Sequence, residues 1–299
     1  MRHAGEIAAL LTAVSWTLSS LCFTSAGRRV GSLSVNLIRL SLAWLYLILY
    51  GALVRGAPFP ADAPPRAWLW LGLSGFVGFF LGDLCLFKAF VLVGPRLSTL
   101  LMSLAPPIAA GLGVLFLDER LSATNWLGMA ATIAGVSWVV LERPPNGAGV
   151  PPRPSARGLA LAALAAVGQA VGLVLSKLGM GPEGYDPFAA THIRVLPGVA
   201  GFAILIFALG RYPRVLETLR DARAFALIAL GAFLGPFLGV GLLLFSVQRV
   251  PAGVAQTIVS IMPVLIVPFV VVLYKERVSW RAFLGACVAV AGVALLFYR

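Results

Sequence analysis

Residues 94–140 recur without a gap 157 positions later, as residues 251–297. Pro106 falls on Pro263, Glu119-Arg120 on Glu276-Arg277, Ser122 on Ser279, and Gly128 on Gly285. Ala134-Gly135-Val136 falls on Ala291-Gly292-Val293. The shared residues are those that set backbone geometry and helix approach, so one structural unit is used twice. Upstream, Gly78 and Gly82 match Gly235 and Gly239 at the same offset, and Ile38-Arg39 aligns with Ile193-Arg194 after a two-residue change of register. A duplicated apolar chain with proline-broken helices is the pattern of repeat-built membrane carriers.

The class of solvent follows from composition. The chain is 60% hydrophobic and 11% charged, whereas soluble domains carry roughly 25% charged residues. Most of it therefore has no aqueous surface to cover, and it reads as an integral membrane protein. Its 23 Lys and Arg against 11 acidic residues gather in short loops. They read as topology-setting charge at lipid headgroups, with the bilayer as partner and no nucleic acid. Cys22, Cys85 and Cys287 lie inside apolar segments as packed thiols and imply no disulfide. The first apolar run, 5–26, is too long for a signal-peptide core and stays as a span.

A spanning helix needs about 20 apolar residues. Candidate spans are 5–26, 32–54, 67–90, 96–117 and 124–141, then 158–178, 188–210, 223–247, 252–274 and 280–298. The expected fold is an all-α integral membrane protein of ten transmembrane helices, as two inverted five-helix repeats. The repeats are residues 1–141 and 158–299, joined by a Pro/Gly-rich linker, 142–157. An odd number of spans per repeat inverts the second half and places a site at the midplane between the halves. Loop charge places the larger basic set, including Arg28, Arg29, Arg153, Arg157, Arg211 and Arg214, on the face opposite the termini. That favours external termini.

Polar groups at bilayer depth need a partner or a task. Asp83 is either a proton-coupling carboxylate, or one that meets a substrate ammonium, or the ion-pair partner of Arg39 or Lys88. Arg39 and Arg194 hold matching places in the two repeats, which suits an architectural role; capture of a substrate carboxylate by the guanidinium is the alternative. His192 is either a proton relay or a hydrogen-bonded structural residue. Asp83 has Val240 at its repeat position, so the fold does not use that carboxylate twice. The pairs Glu119-Arg120 and Glu276-Arg277 sit in turns where a carboxylate caps the following helix.

Pro106, Pro107, Pro263 and Pro268 are expected to break spans 4 and 9 part-way, and Pro236 breaks span 8. Freed carbonyls are tolerated where they face protein or a cavity, so these helices are candidates to line a path. Thr99, Met102, Ser103, Gln256 and Ser260 supply polar or soft contacts along it. Trp16, Phe79, Phe87, Phe237 and Phe245 supply an aromatic wall, or ordinary core packing. Gln169 matches Trp16 and makes the cavity asymmetric in polarity. Gly78/Gly82 and Gly235/Gly239 permit close backbone approach within one molecule or between copies, leaving monomer and oligomer both open. Trp68, Trp70, Trp126 and Trp280 read as interfacial anchors.

Leu104-Ala105-Pro106, Asp118-Glu119-Arg120-Leu121-Ser122, Gly128 and Gly135, answered by Pro263, Glu276-Arg277-Val278-Ser279, Gly285 and Gly292, resemble the EamA branch of the drug/metabolite transporter superfamily. The likeness covers nearly the whole chain and is similar to amino-acid exporters of the YddG type. It implies ten helices, a central cavity, alternating access, cytoplasmic termini (against the loop-charge count) and a place in the cell inner (plasma) membrane. The expected function is export of small metabolites, chiefly amino acids including aromatic ones. Drugs, nucleobase-like or lipid-linked metabolites are the alternative cargo on the same fold. With His3 and His192 as the sole histidines and no Gly-rich phosphate loop, the chain carries no metal, cofactor or ATP signature. The enzyme class reduces to a remote alternative, a membrane-embedded transferase.

Overall fold

The computed structural model describes residues 3–142, 155–265 and 279–297; along 94–97 and at 99 it describes the backbone alone. All regular structure among them is helical. Helices α1 (Ala4–Val30), α2 (Ser32–Tyr50) and α3 (Pro65–Gly75) are followed by α4 (Asp83–Met102), α5 (Ala105–Phe116) and α6 (Ala123–Leu141). The second half holds α7 (Ala156–Met180), α8 (Pro187–Ala208), α9 (Tyr212–Arg220), α10 (Ala222–Ala232), α11 (Val240–Val247), α12 (Ala252–Val259) and α13 (Trp280–Leu296). Among the described residues, seven continuous segments are long and apolar enough to cross a membrane, and three shorter apolar helices accompany them, at Leu100–Phe116, Ala252–Leu265 and Trp280–Leu296.

Several helix starts have a local cause. Ser122, Ser155, Asp186, Asp221 and Ser279 accept the backbone N–H three residues on, at 2.7–3.2 Å. Each satisfies one of the four N–H groups that a helix start leaves orphaned. Pro65 and Pro187 begin their helices where a missing N–H costs nothing.

Three departures from the sequence expectation are instructive. Helix α4 runs through Gly94 and Pro95, so spans 3 and 4 are not separated there. The break in span 4 comes at Ser103-Leu104, and Pro106 and Pro107 stand in the first turn of α5, where their lack of an N–H removes no hydrogen bond. They start a helix and do not kink one. In span 9, α12 stops before Ser260, and Pro263 lies in a helical turn over 262–265; Pro268 and the Glu276-Arg277 pair lie outside the described residues. Finally, 211–221 is not merely a loop but carries α9, a short amphipathic helix that buries Val215 and Thr218 and exposes Leu216 and Leu219.

A wider turn recurs with the repeat. Phe76–Gly82 joins α3 to α4, and Phe233–Gly239 joins α10 to α11, each as a π-helical turn 157 residues from the other. Pro236 sits inside the second of these, and such insertions are enriched at functional sites.

Small residues let these turns pack against the other half. A Cβ on Gly172 would stand 3.2 Å from the Gly78 Cα, and one on Gly168 would stand 3.3 Å from the Gly82 Cα. The two Gly-x-x-x-Gly stretches thus bring α7 onto the first π-turn, backbone to backbone. The second π-turn packs instead on α1: a Cβ on Gly235 would lie 2.5 Å from Ser19 Oγ, and one on Gly239 2.5 Å from Trp16 Cδ1. Each half's first helix therefore crosses onto the other half's third span. Helices α6 and α13 meet through Gly128, Gly135, Gly285 and Gly292; a Cβ on Gly128 would stand 2.9 Å from the Gly292 carbonyl oxygen. The outer surface is apolar, with Leu53, Val91, Leu115, Phe207 and Ile204 each at least two-thirds exposed. Such a belt needs lipid, not water, around it.

Candidate functional site

Where α7 crosses the first π-turn, an enclosed cavity of about 20 Å³ lies between the halves, room for roughly one water molecule. Trp16 from α1, Gly78 and Phe79 from the π-turn, Gln169 and Leu173 from α7, Arg194 from α8, and Val240 and Leu243 from α11 line it. Of the residues expected to line a cavity, the structure brings Trp16, Phe79 and Gln169 together here.

Arg194 is the most informative of the set. It is 6% exposed. Its Nε donates to Ser74 Oγ at 2.9 Å, and its guanidinium carbon lies 4.9 Å from the centre of the Phe79 ring. Ser74 is held in turn by the Gly172 carbonyl at 2.5 Å and the Ser176 hydroxyl at 2.8 Å. The Nη1 of Arg194 has no hydrogen-bond partner among the described residues.

Its repeat equivalent is placed otherwise. Arg39 Nη2 bonds to Asp83 Oδ2 as a close ion pair, and its Nε donates to Asn36 Oδ1 at 2.8 Å. The guanidinium also lies 5.3 Å from the Phe23 ring centre. Asp83 is thus the counter-ion of Arg39, not of Lys88. Val240 stands at the repeat position of Asp83 and lines the cavity beside Arg194.

The other expected site residues are distributed along the bundle. Phe237 belongs to an aromatic cluster with Tyr46, Phe188 and Phe233, at ring-centre distances of 6.0, 5.5 and 5.2 Å. Phe87 packs edge-on against Phe90, and Phe245 lies under Arg249, 3.4 Å from its guanidinium carbon. Met102 is half-buried at the end of α4. Ser103 and Ser260 each donate to a carbonyl three residues back, of Leu100 at 2.5 Å and of Thr257 at 2.7 Å, which closes the turn at each helix break. Gln256 is buried, with Oε1 unpartnered among the described residues. His192 is buried edge-on to Trp44 and Phe59, at 6.3 and 5.3 Å. The Thr99 side chain lies outside the described residues.

At one end of the bundle the two halves are tied by a carboxylate. Glu119 Oε1 accepts from Lys177 Nζ at 2.7 Å, and the Ala252 backbone N–H meets both of its oxygens, at 3.0 and 2.9 Å. Lys177 also donates to the Val250 carbonyl at 3.1 Å. Glu119 thus caps α12 of the other half, whose N-terminus carries partial positive charge. It does not cap the next helix, α6, as the sequence suggested; Ser122 does that. Near this end an open vestibule of about 520 Å³ is lined by Arg55, Asp62, Arg66, Glu183 and Tyr185. Burial pushes the Tyr185 hydroxyl up to about 12, with the Arg55 charge opposing it and Asp62 adding to it. Against desolvation, which raises it, the Asp62 carboxyl is held below the usual carboxylate range by a backbone hydrogen bond and by Arg55. Elsewhere, Arg29 pairs with Asp221 at 3.1 Å, and Ser279 donates to Glu142 at 2.9 Å.

Sequence reasoning singled out Arg194, preferred an architectural role to capture of a substrate carboxylate, and left it out of the cavity. The signal that marks it was visible: Val240 where the first half has Asp83.

Three comparisons bear on this arrangement. The model of the EamA-like transporter family matches twice, over residues 3–141 and 156–298. A Sinorhizobium protein described as an uncharacterized transporter in the cobO 3' region is 33% identical over 128 residues, which is 40% of this chain and 90% of the relative. A solved structure titled only as the crystal structure of a protein superposes with a TM-score of 0.73 at 19% identity, covering 99% of this chain and 96% of the other. At that identity the likeness is one of fold.

Proposed function

The chain belongs to the EamA-like transporter family, a multi-pass membrane protein with a transport role, and we propose that it is a secondary exporter of small metabolites, chiefly amino acids including aromatic ones. One observation carries the reading. The interior cavity at the crossing of α7 with the first π-turn joins aromatic walls (Trp16, Phe79) to an amide (Gln169) and a guanidinium (Arg194). Apolar faces would hold a hydrocarbon or aromatic side chain, and the few polar groups would orient its ends.

In this proposal the ten apolar helices form two inverted five-helix repeats, 1–141 and 158–299, with the cavity between them in the inner membrane. At about 20 Å³ the cavity is in a closed form. Cargo enters when the halves rock apart about the π-turns, and the Glu119 tie is one of the contacts that must part during the cycle.

The test is uptake of labelled phenylalanine, threonine and lysine into proteoliposomes, with and without an imposed pH gradient. Saturable uptake of phenylalanine, inhibited by unlabelled phenylalanine, is expected. Uptake of none of the three by folded protein would contradict the amino-acid reading and point to drugs or lipid-linked cargo. Chemical change of a substrate in detergent would point to a transferase.

A further inference from the structure

The two halves solve the same electrostatic problem in different ways. Each places an arginine at the matching position of its second span, Arg39 and Arg194. A guanidinium stays charged at any physiological pH and presents a planar fork of donors suited to a carboxylate. In the first half Asp83 supplies that carboxylate. In the second half Val240 occupies the equivalent position, 3% exposed, and faces the same cavity as the arginine. Arg194 keeps one hydroxyl partner, Ser74, and one aromatic ring, Phe79, while its Nη1 goes unpartnered among the described residues.

We infer that Arg194 is an anion receptor, and that the carboxylate missing from the second half is supplied by the transported molecule. The inference rests on the transport reading above and gives it a chemical class: cargo with a free carboxylate and an apolar body.

The geometry gives each neighbour a task. Ser74, itself bonded to Gly172 and Ser176, fixes the Nε edge of the guanidinium and leaves the Nη edge for the ligand. Phe79 covers one face of the fork. Gly78 lies beside the guanidinium, and even a Cβ there would stand at ordinary contact distance from Nη2, 3.7 Å. Val240 and Leu243 provide apolar wall and no competing acceptor. An uncompensated charge in a low-dielectric interior is costly, and a well-placed, hydrogen-bonded carboxylate offsets part of that cost.

The first half also shows how to block the site. Val240→Asp would install in the second half the counter-ion that Asp83 provides in the first. It should fold, because the new carboxylate finds a waiting cation, and should bind no external anion. Binding is read by titration calorimetry on detergent-purified protein with three probes: benzoate, L-phenylalanine and phenethylamine, which lacks the carboxylate. Wild type should bind benzoate and phenylalanine but not phenethylamine. Val240→Asp should bind both carboxylates about 100-fold more weakly, the order expected when a buried cation has already been paired, with an unliganded Tm at or above wild type. Arg194→Lys, which keeps the charge but loses the fork, should weaken binding about tenfold.

Equal benzoate affinity in wild type and Val240→Asp, or preference for phenethylamine, or no carboxylate binding by wild type, overturns the inference. Should Val240→Asp fail to fold, unchanged benzoate affinity in Arg194→Lys overturns it. The two readings fail separately. Benzoate binding without transport of any amino acid supports the anion receptor and removes the amino-acid cargo. Phenylalanine transport undiminished in folded Val240→Asp keeps the cargo and removes the receptor.

Discussion

Asp83 and Arg39 form the clearest case of two residues held together by the cost of burying either alone. Their side chains are 21% and 13% exposed, so each charge is largely withdrawn from water. Removing one partner leaves the other uncompensated, at a cost of about 3 kcal/mol. Asp83→Asn should therefore lower Tm and folded yield in detergent, read by size exclusion of the solubilised protein. An unchanged Tm would mean that the pair contributes little and would return Asp83 to the list of groups free for proton coupling. The sequence named both members of this pair and offered Lys88 as a rival; only the fold decides between two cations near one carboxylate. It named Arg194 too, but symmetry with Arg39 made the two look alike. What differs is the residue at the facing repeat position, Asp83 for Arg39 and Val240 for Arg194, and that position lies 46 residues beyond Arg194.

At the scale of elements, the glycine spacing on α6 and α13 marks their contact face, and that was legible because its cause is local. Ser122 and Ser279 cap their helices, a role the sequence reading gave to the neighbouring Glu119 and Glu276. The π-turns at Phe76–Gly82 and Phe233–Gly239 were not legible. An extra residue in one turn leaves no change in an apolar pattern, although the 157-residue repeat placed both at matching positions. The prolines were read correctly as breaks in span 4 but with the wrong mechanism, because Pro106 and Pro107 lie just inside a helix start. Glu119 was misassigned for a related reason. Capping was expected to act on the nearest helix in sequence, and the carboxylate instead reaches α12, 133 residues away. That tie predicts a measurable dependence: Glu119→Ala should speed hydrogen exchange in the peptide carrying the first turn of α12, by about tenfold for the loss of a charge-assisted cap worth about 1.4 kcal/mol. Unchanged exchange there would mean that α12 is held by packing alone.

For the whole molecule, the duplication and the hydropathy were enough to foresee a helical membrane protein. The family match over both halves agrees with the transporter class, and the fold likeness extends over 99% of the chain. The asymmetry inside that symmetric frame was only half legible. Trp16 against Gln169 and Asp83 against Val240 could be read as differences, but not that Trp16, Gln169 and Val240 line one cavity with Arg194 while Asp83 pairs with Arg39. In the alternating-access cycle proposed above, two nearly equal halves would give the two states similar stability, and the unequal residues between them would give the cavity its chemistry.

The central claim is that this chain carries small carboxylate metabolites through a site that opens to one side at a time. Counterflow tests it most directly. Proteoliposomes loaded with unlabelled phenylalanine are diluted into labelled phenylalanine with no ion gradient. A carrier of this kind should accumulate label transiently above equilibrium, because each return of the empty site is replaced by an exchange of cargo. Label that only equilibrates at the rate of protein-free vesicles, from protein shown to be folded, would contradict the account.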